Sequence, residues 1–146
     1  MDVFSRRERS RIMSRIRSQG NAGTELRLIK LFQSNKIVGW RRNQKLFGKP
    51  DFVFPKKRLV VFVDGCFWHG CPRCYRRPRS NLKYWDTKIF RNRKRDRKVK
   101  SVLKKLGWRV VRIWAHELKT PNRCVQKLLR ISAPPAFIRF QRGKLR

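Results

Sequence analysis

The first part of the chain contains two stretches whose hydrophobic positions recur with helical spacing. The segment SRRERSRIMSRIRSQ predicts a basic amphipathic helix, in which Ser5 and Glu8 have the spacing of a capping box. The segment TELRLIKLFQSN predicts a second helix that begins after Thr24 as its N-cap. Glu25 falls on the same side as the hydrophobic residues of this helix, so we expect its carboxylate to face the interior.

The rest of the pattern predicts a sheet with helices around it. The segment PDFVFPKKRLVVFVDG contains two apolar runs joined by a short polar turn, which is typical of a β-hairpin. The mostly apolar segment WRVVRIW suits a third strand deep in a sheet. The predicted elements are strands 52–54 and 59–63, a helix from about Tyr84 to Leu106 capped by Gly107, strand 108–114, a closing helix 122–132, and an edge strand and turn in 38–49. Together they predict an α/β fold.

Composition narrows the class of partner. With 146 residues, 40% of them hydrophobic, the chain has the size of one domain, and we predict a single domain over 1–146. The net charge of +33 attracts polyanions, so the expected partner is nucleic acid. We find neither a membrane-spanning run nor a signal-peptide pattern, and we expect a cytoplasmic monomer without membrane contact. Residues 1–20 are expected to form a DNA-contacting helix, and 133–146 a basic tail.

Two of the eight acidic residues lie at the ends of the predicted hairpin. Asp51 precedes the first strand and Asp64 follows the second, at equal distances from the turn. Opposed residues share one face of a ladder, and a register shifted by two residues keeps the pair diagonal on that face, whereas a shift of one separates them. Two carboxylates on one face favour binding of Mg²⁺. The alternative interpretation is that each Asp only marks a turn.

Two polar residues interrupt the apolar stripe of the predicted long helix. The stripe consists of Trp85, Ile89, Val99, Leu103 and Leu106. Its spacing places Asn92 and Asp96 on the same face, on adjacent turns. Buried polar groups usually have partners, so we expect both residues to face a polar pocket that also contains the hairpin carboxylates and Glu25. The alternative is a solvated helix end, where Asp96 pairs with Arg93 or Lys100.

The segment CFWHGCPRC has the composition of a metal site. Cys71 and Cys74 form a CxxC knuckle, and Cys66 lies five residues earlier. A closed tetrahedral zinc site needs a fourth ligand, for which His116 at the end of the third strand and His69 within the loop are the candidates. If His116 is the ligand, the zinc site is structural and His69 is free for chemistry; the opposite assignment remains open.

The loop also contains two aromatic residues, Phe67 and Trp68. In a strongly basic protein such side chains can wedge between or stack on bases, although ordinary core packing explains them equally well. The fourth cysteine, Cys124, lies among aliphatic residues of the closing helix and is interpreted as a small core residue.

These residues, taken in order, resemble the very-short-patch repair (Vsr) DNA mismatch endonucleases. The resemblance covers roughly residues 5–120 and depends on the ordered segments RSRIMSRIRSQGNAGTEL, KPDFVF, VFVDGCFWHGCPRCY, YWDTKIFRNRKRDRKV and LGWRVVRIWAHEL. It implies a restriction-endonuclease-like fold, with a central mixed sheet flanked by helices. It also implies Mg²⁺-dependent hydrolysis of a phosphodiester bond in mismatched double-stranded DNA, next to a T:G mismatch.

The resemblance implies a role for each candidate residue. The implied active-site residues are Asp51, which contacts Mg²⁺ directly, and Glu25, His69, Asn92 and Asp96, with Asp64 as a second magnesium ligand. The implied zinc ligands are Cys66, Cys71, Cys74 and His116, and the implied intercalating residues are Phe67, Trp68 and Trp85.

The chain departs from the wider nuclease pattern at one position, and the family itself varies at another. The Lys that usually stands two residues after the second acid is replaced by Cys66, so His69 has to serve in its place. Some members carry a histidine at the position of Asp64. A site-specific homing-type nuclease with the same core, and a zinc-containing nucleic-acid-binding protein without activity, are the alternative functions.

Overall fold

The computed structural model describes residues 5–15 and 23–132. Its helices and strands are α1 (Arg6–Ser14), α2 (Glu25–Ser34), β1 (Phe52–Phe54), β2 (Leu59–Asp64), α3 (Leu82–Lys105), β3 (Arg109–Trp114) and α4 (Pro121–Ser132). Short 3-10 turns lie at Pro55–Lys57 and Glu117–Lys119. Apart from the edge strand expected in 38–49, the predicted elements are therefore confirmed within one or two residues at most described ends. The predictions for residues 1–4, 16–20 and 133–146 lie outside the described residues.

The three strands form a mixed sheet in the order β1-β2-β3. β1 and β2 are antiparallel neighbours, and Phe54 pairs with Leu59 across the turn. β2 and β3 are parallel, with Phe62 beside Arg112 and Asp64 beside Trp114. Parallel neighbours require a long crossover connection, which here contains α3. The sheet therefore places the ends of β2 and β3 side by side.

Each face of the sheet is covered by helices. On one face the strands pack against α2 and α4, and the aromatic centre of this core is Phe32, whose ring lies 5.2 Å from that of Phe52. On the other face, Val60 and Phe62 pack against Val99 and Leu103 of α3. Burial of each such large side chain contributes about 1.5–3 kcal/mol to folding. Helices on both sides of one sheet give a three-layer α/β arrangement.

α3 is long, but few of its side chains are buried. Of its 24 residues, only Ile89, Val99 and Leu103 are buried. Lys and Arg are favourable helix formers, and Lys104 and Lys105 complement the negative end of the helix dipole. The helix covers one face of the sheet. The odd-numbered residues of β1 and the even-numbered residues of β2 point to this face.

The observed helix ends show some, but not all, of the caps that the sequence predicts. Ser5 and Glu8 form the predicted reciprocal capping box, with nitrogen-to-oxygen distances of 2.9 and 3.3 Å. Thr24 precedes α2, but its side chain makes no capping hydrogen bond. Gly107 follows α3 with φ of 79°, the left-handed conformation that a glycine adopts without strain.

Three details differ from the sequence prediction. The expected edge strand in 38–49 is reduced to a single bridge between Arg41 and Val53. β3 lies at the edge of the described sheet and not deep within it, because no described strand pairs with its other side. Leu106 is 54% exposed and does not continue the apolar stripe, since α3 ends at Lys105. No helix among the described residues is long and apolar enough to cross a bilayer.

Candidate active site and metal centre

The hairpin brings Asp51 and Asp64 to one face of the sheet. The ladder pairs Phe52 with Val61, so Asp51 continues opposite Phe62 and lies diagonally from Asp64. The direct opposition expected from the turn is wrong by two residues, but the same-face arrangement holds. The Val63 amide donates a hydrogen bond of 2.7 Å to Asp51 Oδ2, which fixes this carboxylate against β2.

Asp64 belongs to a tight group with His69 and Asp96. One ligand atom of each residue lies within 4.8 Å of the other two. His69 Nδ1 is 2.7 Å from Asp96 Oδ2 and 3.7 Å from Asp64 Oδ1. The strand end, the loop after it and the middle of α3 each supply one member. Asp96 therefore faces a polar group that includes Asp64, and its expected alternative partners, Arg93 and Lys100, do not bind it.

Arg112 of β3 lies between two of these carboxylates. Its guanidinium group donates to Asp64 Oδ2 through Nη1, while Nη2 is 3.3 Å from Asp96 Oδ1. The guanidinium carbon also lies 4.9 Å from the ring centre of Phe62. Only 18% of the side chain is exposed. Arg112 therefore neutralises part of the negative charge that the sheet and α3 concentrate here.

A cleft of about 400 Å³ opens over this group. Its charged walls include Lys49, Asp51, Asp64, His69, Asp96 and Arg112. On one side the backbone of Gly48 approaches α3 so closely that a Cβ atom there would lie 2.3 Å from Val99 Cγ1. The cleft thus combines three carboxylates, one imidazole and fixed cations, within the volume range of small-ligand sites.

Burial shifts the pKa of the two hairpin carboxyls upward. For Asp51, burial raises the pKa to about 6, and the charges of Glu25 and Asp64 add to the shift while the hydrogen bond from Val63 opposes it. Burial also raises the pKa of Asp64, although His69 and Arg112 act against the increase. Raised pKa values in a cleft mark carboxylates that gain stability from a bound cation.

Asp96 behaves in the opposite way. Its partial burial, the largest single influence, would raise the pKa, but the hydrogen bond with His69 and the charges of His69, Arg112 and Arg95 together lower it. An ionised carboxylate only accepts hydrogen bonds, so His69 Nδ1 is the donor. The Nε2 atom of a neutral His69 is then an acceptor. This is how a carboxylate orients a histidine for proton transfer.

The remaining predicted active-site residues are held by other groups. Glu25 is buried, and its Oε2 accepts a hydrogen bond of 2.5 Å from Arg42. The Asn92 amide donates to the carbonyl oxygen of Trp68 at 2.7 Å, so it ties α3 to the loop after β2. Neither residue lines the 400 Å³ cleft. The charge of Glu25 nevertheless acts on the pKa of Asp51.

The Asp51, Asp64, His69 and Asp96 side chains offer donors that suit a hard divalent cation. Carboxylate oxygens are the usual ligands of Mg²⁺, which also keeps several waters. Asp51 does not lie within the 4.8 Å group that Asp64 forms with the other two residues, but it faces the same cleft. The desolvation of two carboxyls, seen in their raised pKa values, is the observation that fits a cation.

A second group of ligands lies beside the cleft and consists of Cys66, Cys71, Cys74 and His116. All four ligand atoms lie within 4.8 Å of one another. His116 Nδ1 is 3.3 Å from Cys66 Sγ and 3.7 Å from Cys71 Sγ. Such separations suit a tetrahedral ion with bonds of about 2.0–2.3 Å. The structure brings His116 into this group, while His69 faces the cleft.

The backbone of the cysteine loop is prepared for such an ion. The Cys71 amide donates to the Cys66 carbonyl at 2.8 Å, and the Tyr75 amide donates to the Cys71 carbonyl at 2.9 Å. Burial raises the pKa of the Cys66 thiol, with a further increase from Cys71 and Cys74. The Cys66 thiol is therefore costly to ionise without a cation, and a bound metal removes that cost. Cys124 is separate and is 1% exposed in the core, as predicted.

The aromatic residues of the loop form one cluster with the start of α3. The ring of Phe67 lies 5.4 Å from that of Trp68 and 5.1 Å from that of Trp85. Tyr84 and Tyr75 extend the cluster at its edges. Trp85 therefore packs against the loop and not on the apolar stripe of α3. We call these five residues the aromatic cluster.

Two arginines of the site were missed by sequence reasoning. Arg112 is the one charged residue inside the predicted strand WRVVRIW after its start, and its even number places it on the face of Asp64 once the strands are parallel. The face on which Arg112 lies could therefore have been predicted from the sequence. Arg42 lies in an irregular segment, and nothing in its neighbours indicated that it would meet Glu25 from 17 residues away.

Comparisons with known proteins find similarity to DNA endonucleases. The family model described as DNA mismatch endonuclease Vsr matches residues 1–76, which include the hairpin and the cysteine loop. The type II nicking enzyme V.XorIIP of Xanthomonas oryzae pv. oryzae is 39% identical over 138 residues, which cover 91% of this chain and 98% of that protein.

Two further relatives extend the comparison. The DNA mismatch endonuclease Vsr of Escherichia coli is 35% identical over 130 residues, which cover 88% of this chain and 82% of that protein. The type II nicking enzyme V.NaeI of Lentzea aerocolonigenes is 52% identical over 69 residues, and the match spans 47% of this chain and only 42% of that relative.

Proposed function

Because the chain belongs to the Vsr family of DNA mismatch endonucleases and is a DNA endonuclease, we propose that it nicks one strand of duplex DNA next to a T:G mismatch by Mg²⁺-dependent hydrolysis. The observation that carries the proposal is the hydrogen bond between His69 and Asp96 in a cleft that also contains Asp51 and Asp64. The cleft combines an oriented base with carboxylates that suit a metal ion, which are two parts of metal-assisted hydrolysis of a phosphodiester.

Asp51 and Asp64 are the proposed magnesium ligands. A bound Mg²⁺ would polarise the scissile phosphate and offset the charge that develops on the leaving oxygen. Both carboxyls have raised pKa values, so their ionised forms are stabilised by a neighbouring cation. The Val63 amide keeps Asp51 oriented into the cleft, and Arg112 does the same for Asp64.

His69 is the proposed proton-transfer residue. Its Nδ1–H donates to the ionised carboxylate of Asp96, which leaves Nε2 as the acceptor for a proton from water. In its protonated form the same imidazole supplies a proton to the leaving oxygen. Asp96 holds the ring in place and stabilises the positive charge that the ring gains.

Glu25 and Asn92 are proposed to organise water around the metal ligands. Arg42 holds the carboxylate of Glu25, and the charge of this carboxylate acts on Asp51. Asn92 fixes the loop that carries His69 by donating to the Trp68 carbonyl. Both residues therefore support the positions of the groups that face the cleft.

The cysteine group is proposed as a structural zinc site. Zinc bound by Cys66, Cys71, Cys74 and His116 would join the loop after β2 to the end of β3. Because His69 lies within that loop, the zinc would also position the catalytic imidazole.

The aromatic cluster is proposed as the part that meets the mismatch. Phe67, Trp68 and Trp85 are half-buried, and they lie where the loop and the beginning of α3 meet. Aromatic side chains inserted between base steps unstack them, and a mismatched step resists this least. Basic residues along α3 then supply phosphate contacts that are sensitive to salt.

Three further properties of the protein are proposed: its fold, its oligomeric state and its location. We propose a single nuclease domain with a restriction-endonuclease-like fold, supported by the mixed sheet with helices on both faces. We also propose that it acts as a monomer in the cytoplasm, on chromosomal DNA.

The test is nicking of a panel of duplexes that carry T:G in varied sequence contexts, each matched by the perfectly paired duplex. We expect Mg²⁺-dependent nicking of one strand in a mismatched context, and no nicking by Asp51→Ala or His69→Ala. Full activity in either variant refutes the assigned roles. A site-specific nuclease is the second candidate, favoured by the relatives named type II nicking enzymes; equal nicking of paired and mismatched duplex would establish it.

A further inference from the structure

A second cleft adjoins the active-site cleft on the far side of Asp96. It has a volume of about 460 Å³, and its walls share His69, Asp96 and Arg112 with the first cleft. The three shared side chains therefore form a partition with a cleft on each side. A ligand against Asp51 and Asp64 in the first cleft would therefore lie near residues that also line the second.

The second cleft has a different charge. Its other polar walls are Arg93, Arg97 and Lys100, which lie on successive turns of α3. Arg93 is engaged by the loop, since it donates to the Gly70 carbonyl at 2.5 Å. Arg97 and Lys100 have no hydrogen bond or ion pair to any residue in 5–15 or 23–132. Trp114, half-buried at the end of β3, provides an aromatic wall.

We propose that this second cleft binds the nucleotide next to the scissile phosphate. Its phosphate would lie on Arg97 and Lys100, and its sugar or base against Trp114. The inference rests on the proposed function, because it takes the scissile phosphate to lie in the first cleft. Consecutive charges on a DNA strand are spaced by roughly 3.4 Å of helix axis, so a strand in the first cleft must bring a neighbouring phosphate close to the partition.

The geometry distinguishes these two cations from the basic residues of α3 that lie outside both clefts. Arg91, Lys94 and Lys98 are exposed on the same helix but line neither cleft. Their contribution to DNA binding would be through the general field of the protein. Arg97 and Lys100 border a concave space of ligand size beside the reacting groups, and their contribution would depend on one particular phosphate.

The experiment replaces single phosphates of the nicked strand by neutral methylphosphonates, one position at a time on either side of the scissile bond. Each duplex is assayed with wild type, Arg97→Ala, Lys100→Ala and the matched controls Arg91→Ala and Lys98→Ala. On the natural duplex we expect each cleft variant to lower kcat/KM by about tenfold and to reduce the salt slope of log Kd by about 0.9. On the duplex with one neutral flanking phosphate, the cleft variants should match wild type.

The subsite is refuted if the loss of kcat/KM in Arg97→Ala and Lys100→Ala is the same at every methylphosphonate position. It is also refuted if the two control variants show equal coupling to a methylphosphonate position. Trp114→Phe provides an independent readout, since quenching of tryptophan fluorescence by a bound duplex should be reduced. If wild type nicks no duplex, the proposed function fails. The subsite is then tested with the same variants and the same methylphosphonate duplexes, using the Kd of duplex binding in place of kcat/KM. Absence of coupling there overturns it as well.

Discussion

His69 Nδ1 lies 2.7 Å from Asp96 Oδ2, so one hydrogen bond joins the loop after β2 to the middle of α3. The two residues are 27 positions apart in the chain. Because the carboxylate is ionised, it sets which ring nitrogen of the histidine faces the cleft. The proton transfer proposed for His69 should therefore depend on a residue that need not touch the DNA.

Asp96→Asn should lower the single-turnover nicking rate by about 10²–10⁴-fold while leaving DNA affinity within a few fold. The amide lacks the charge that stabilises the protonated imidazole, and the contribution of an oriented general base has this size. The control is Asp86→Asn, which lies on the same helix but is exposed and paired with Arg77. Equal losses in the two variants would show that the effect is not specific to the histidine.

Arg112→Met should destabilise the metal-free protein by about 1–3 kcal/mol, the usual cost of leaving a buried polar group without its partner. The substitution leaves Asp64 and Asp96 without the cation that separates them, and an unpaired buried charge is unfavourable. Added Mg²⁺ should raise the melting temperature of this variant more than that of wild type, since the metal then supplies the missing charge. Arg91→Met, exposed on α3, serves as the control. Equal responses to Mg²⁺ in all three proteins would contradict the prediction.

The stability of the protein without Mg²⁺ should depend on the ionisation of Asp51. Its pKa is about 6 in the folded state against an ordinary value of 3.8, so the folded state binds the proton more tightly than the unfolded state. The resulting stabilisation is complete below pH 3.8 and is lost as the pH rises through 6.

Asp51→Asn removes this dependence, because the amide keeps a hydrogen-bond acceptor for Val63 but cannot ionise. In Mg²⁺-free buffer, the melting temperature of the variant relative to wild type should therefore increase between pH 4 and pH 7. Thermal melts followed by circular dichroism measure this difference. A difference that does not change with pH would be inconsistent with a buried, titrating Asp51.

Cys71→Ser should release the zinc and destabilise the loop that carries His69. One metal ion per chain is expected in the purified wild type and less than a tenth of that in the variant, measured by elemental analysis. Cys124→Ala is the contrasting control, since Cys124 lies in the core away from the cluster. It should lower the melting temperature but retain the zinc. Loss of metal in both variants would mean that global unfolding, and not ligand removal, releases the ion.

Trp68→Leu should reduce the preference for mismatched over paired duplex by about tenfold. Stacking of one base on an aromatic side chain contributes about 1–3 kcal/mol, and leucine cannot replace it. Asn92 binds the main-chain carbonyl of Trp68, so this anchor of the loop is retained. Phe90→Leu, a 59% exposed position of α3 outside the aromatic cluster, should leave the preference unchanged.

The candidate site was largely predictable because strand parity and helix periodicity place side chains on faces. Both rules placed Asp51, Asp64 and Asp96 on the facing surfaces of a sheet and a helix. The register was wrong by two because Phe54 pairs with Leu59, so only Pro55–Arg58 form the turn and its centre lies one residue earlier than assumed.

Other features depend on tertiary contacts that no local pattern contains. Arg112 binds Asp64 from 48 residues away, and Arg42 reaches Glu25 from an irregular segment. Leu106 looked like a continuation of the apolar stripe, yet the chain leaves the sheet after Lys105 and exposes it. Which histidine joins the three cysteines also depended on the parallel pairing of β2 and β3, which brings the end of β3 and His116 beside the loop.

The sparse burial of α3 has a mechanical consequence. Val99 and Leu103 anchor its second half through apolar packing, whereas its midpoint is attached by the polar contacts of Asn92 and Asp96. A strand of DNA that draws Asp96 or His69 into new interactions alters the tether of the first half, which carries Trp85. Amide exchange over residues 82–90 should accordingly report substrate occupancy, because a change at Asp96 would then reach the part of the helix that carries Trp85.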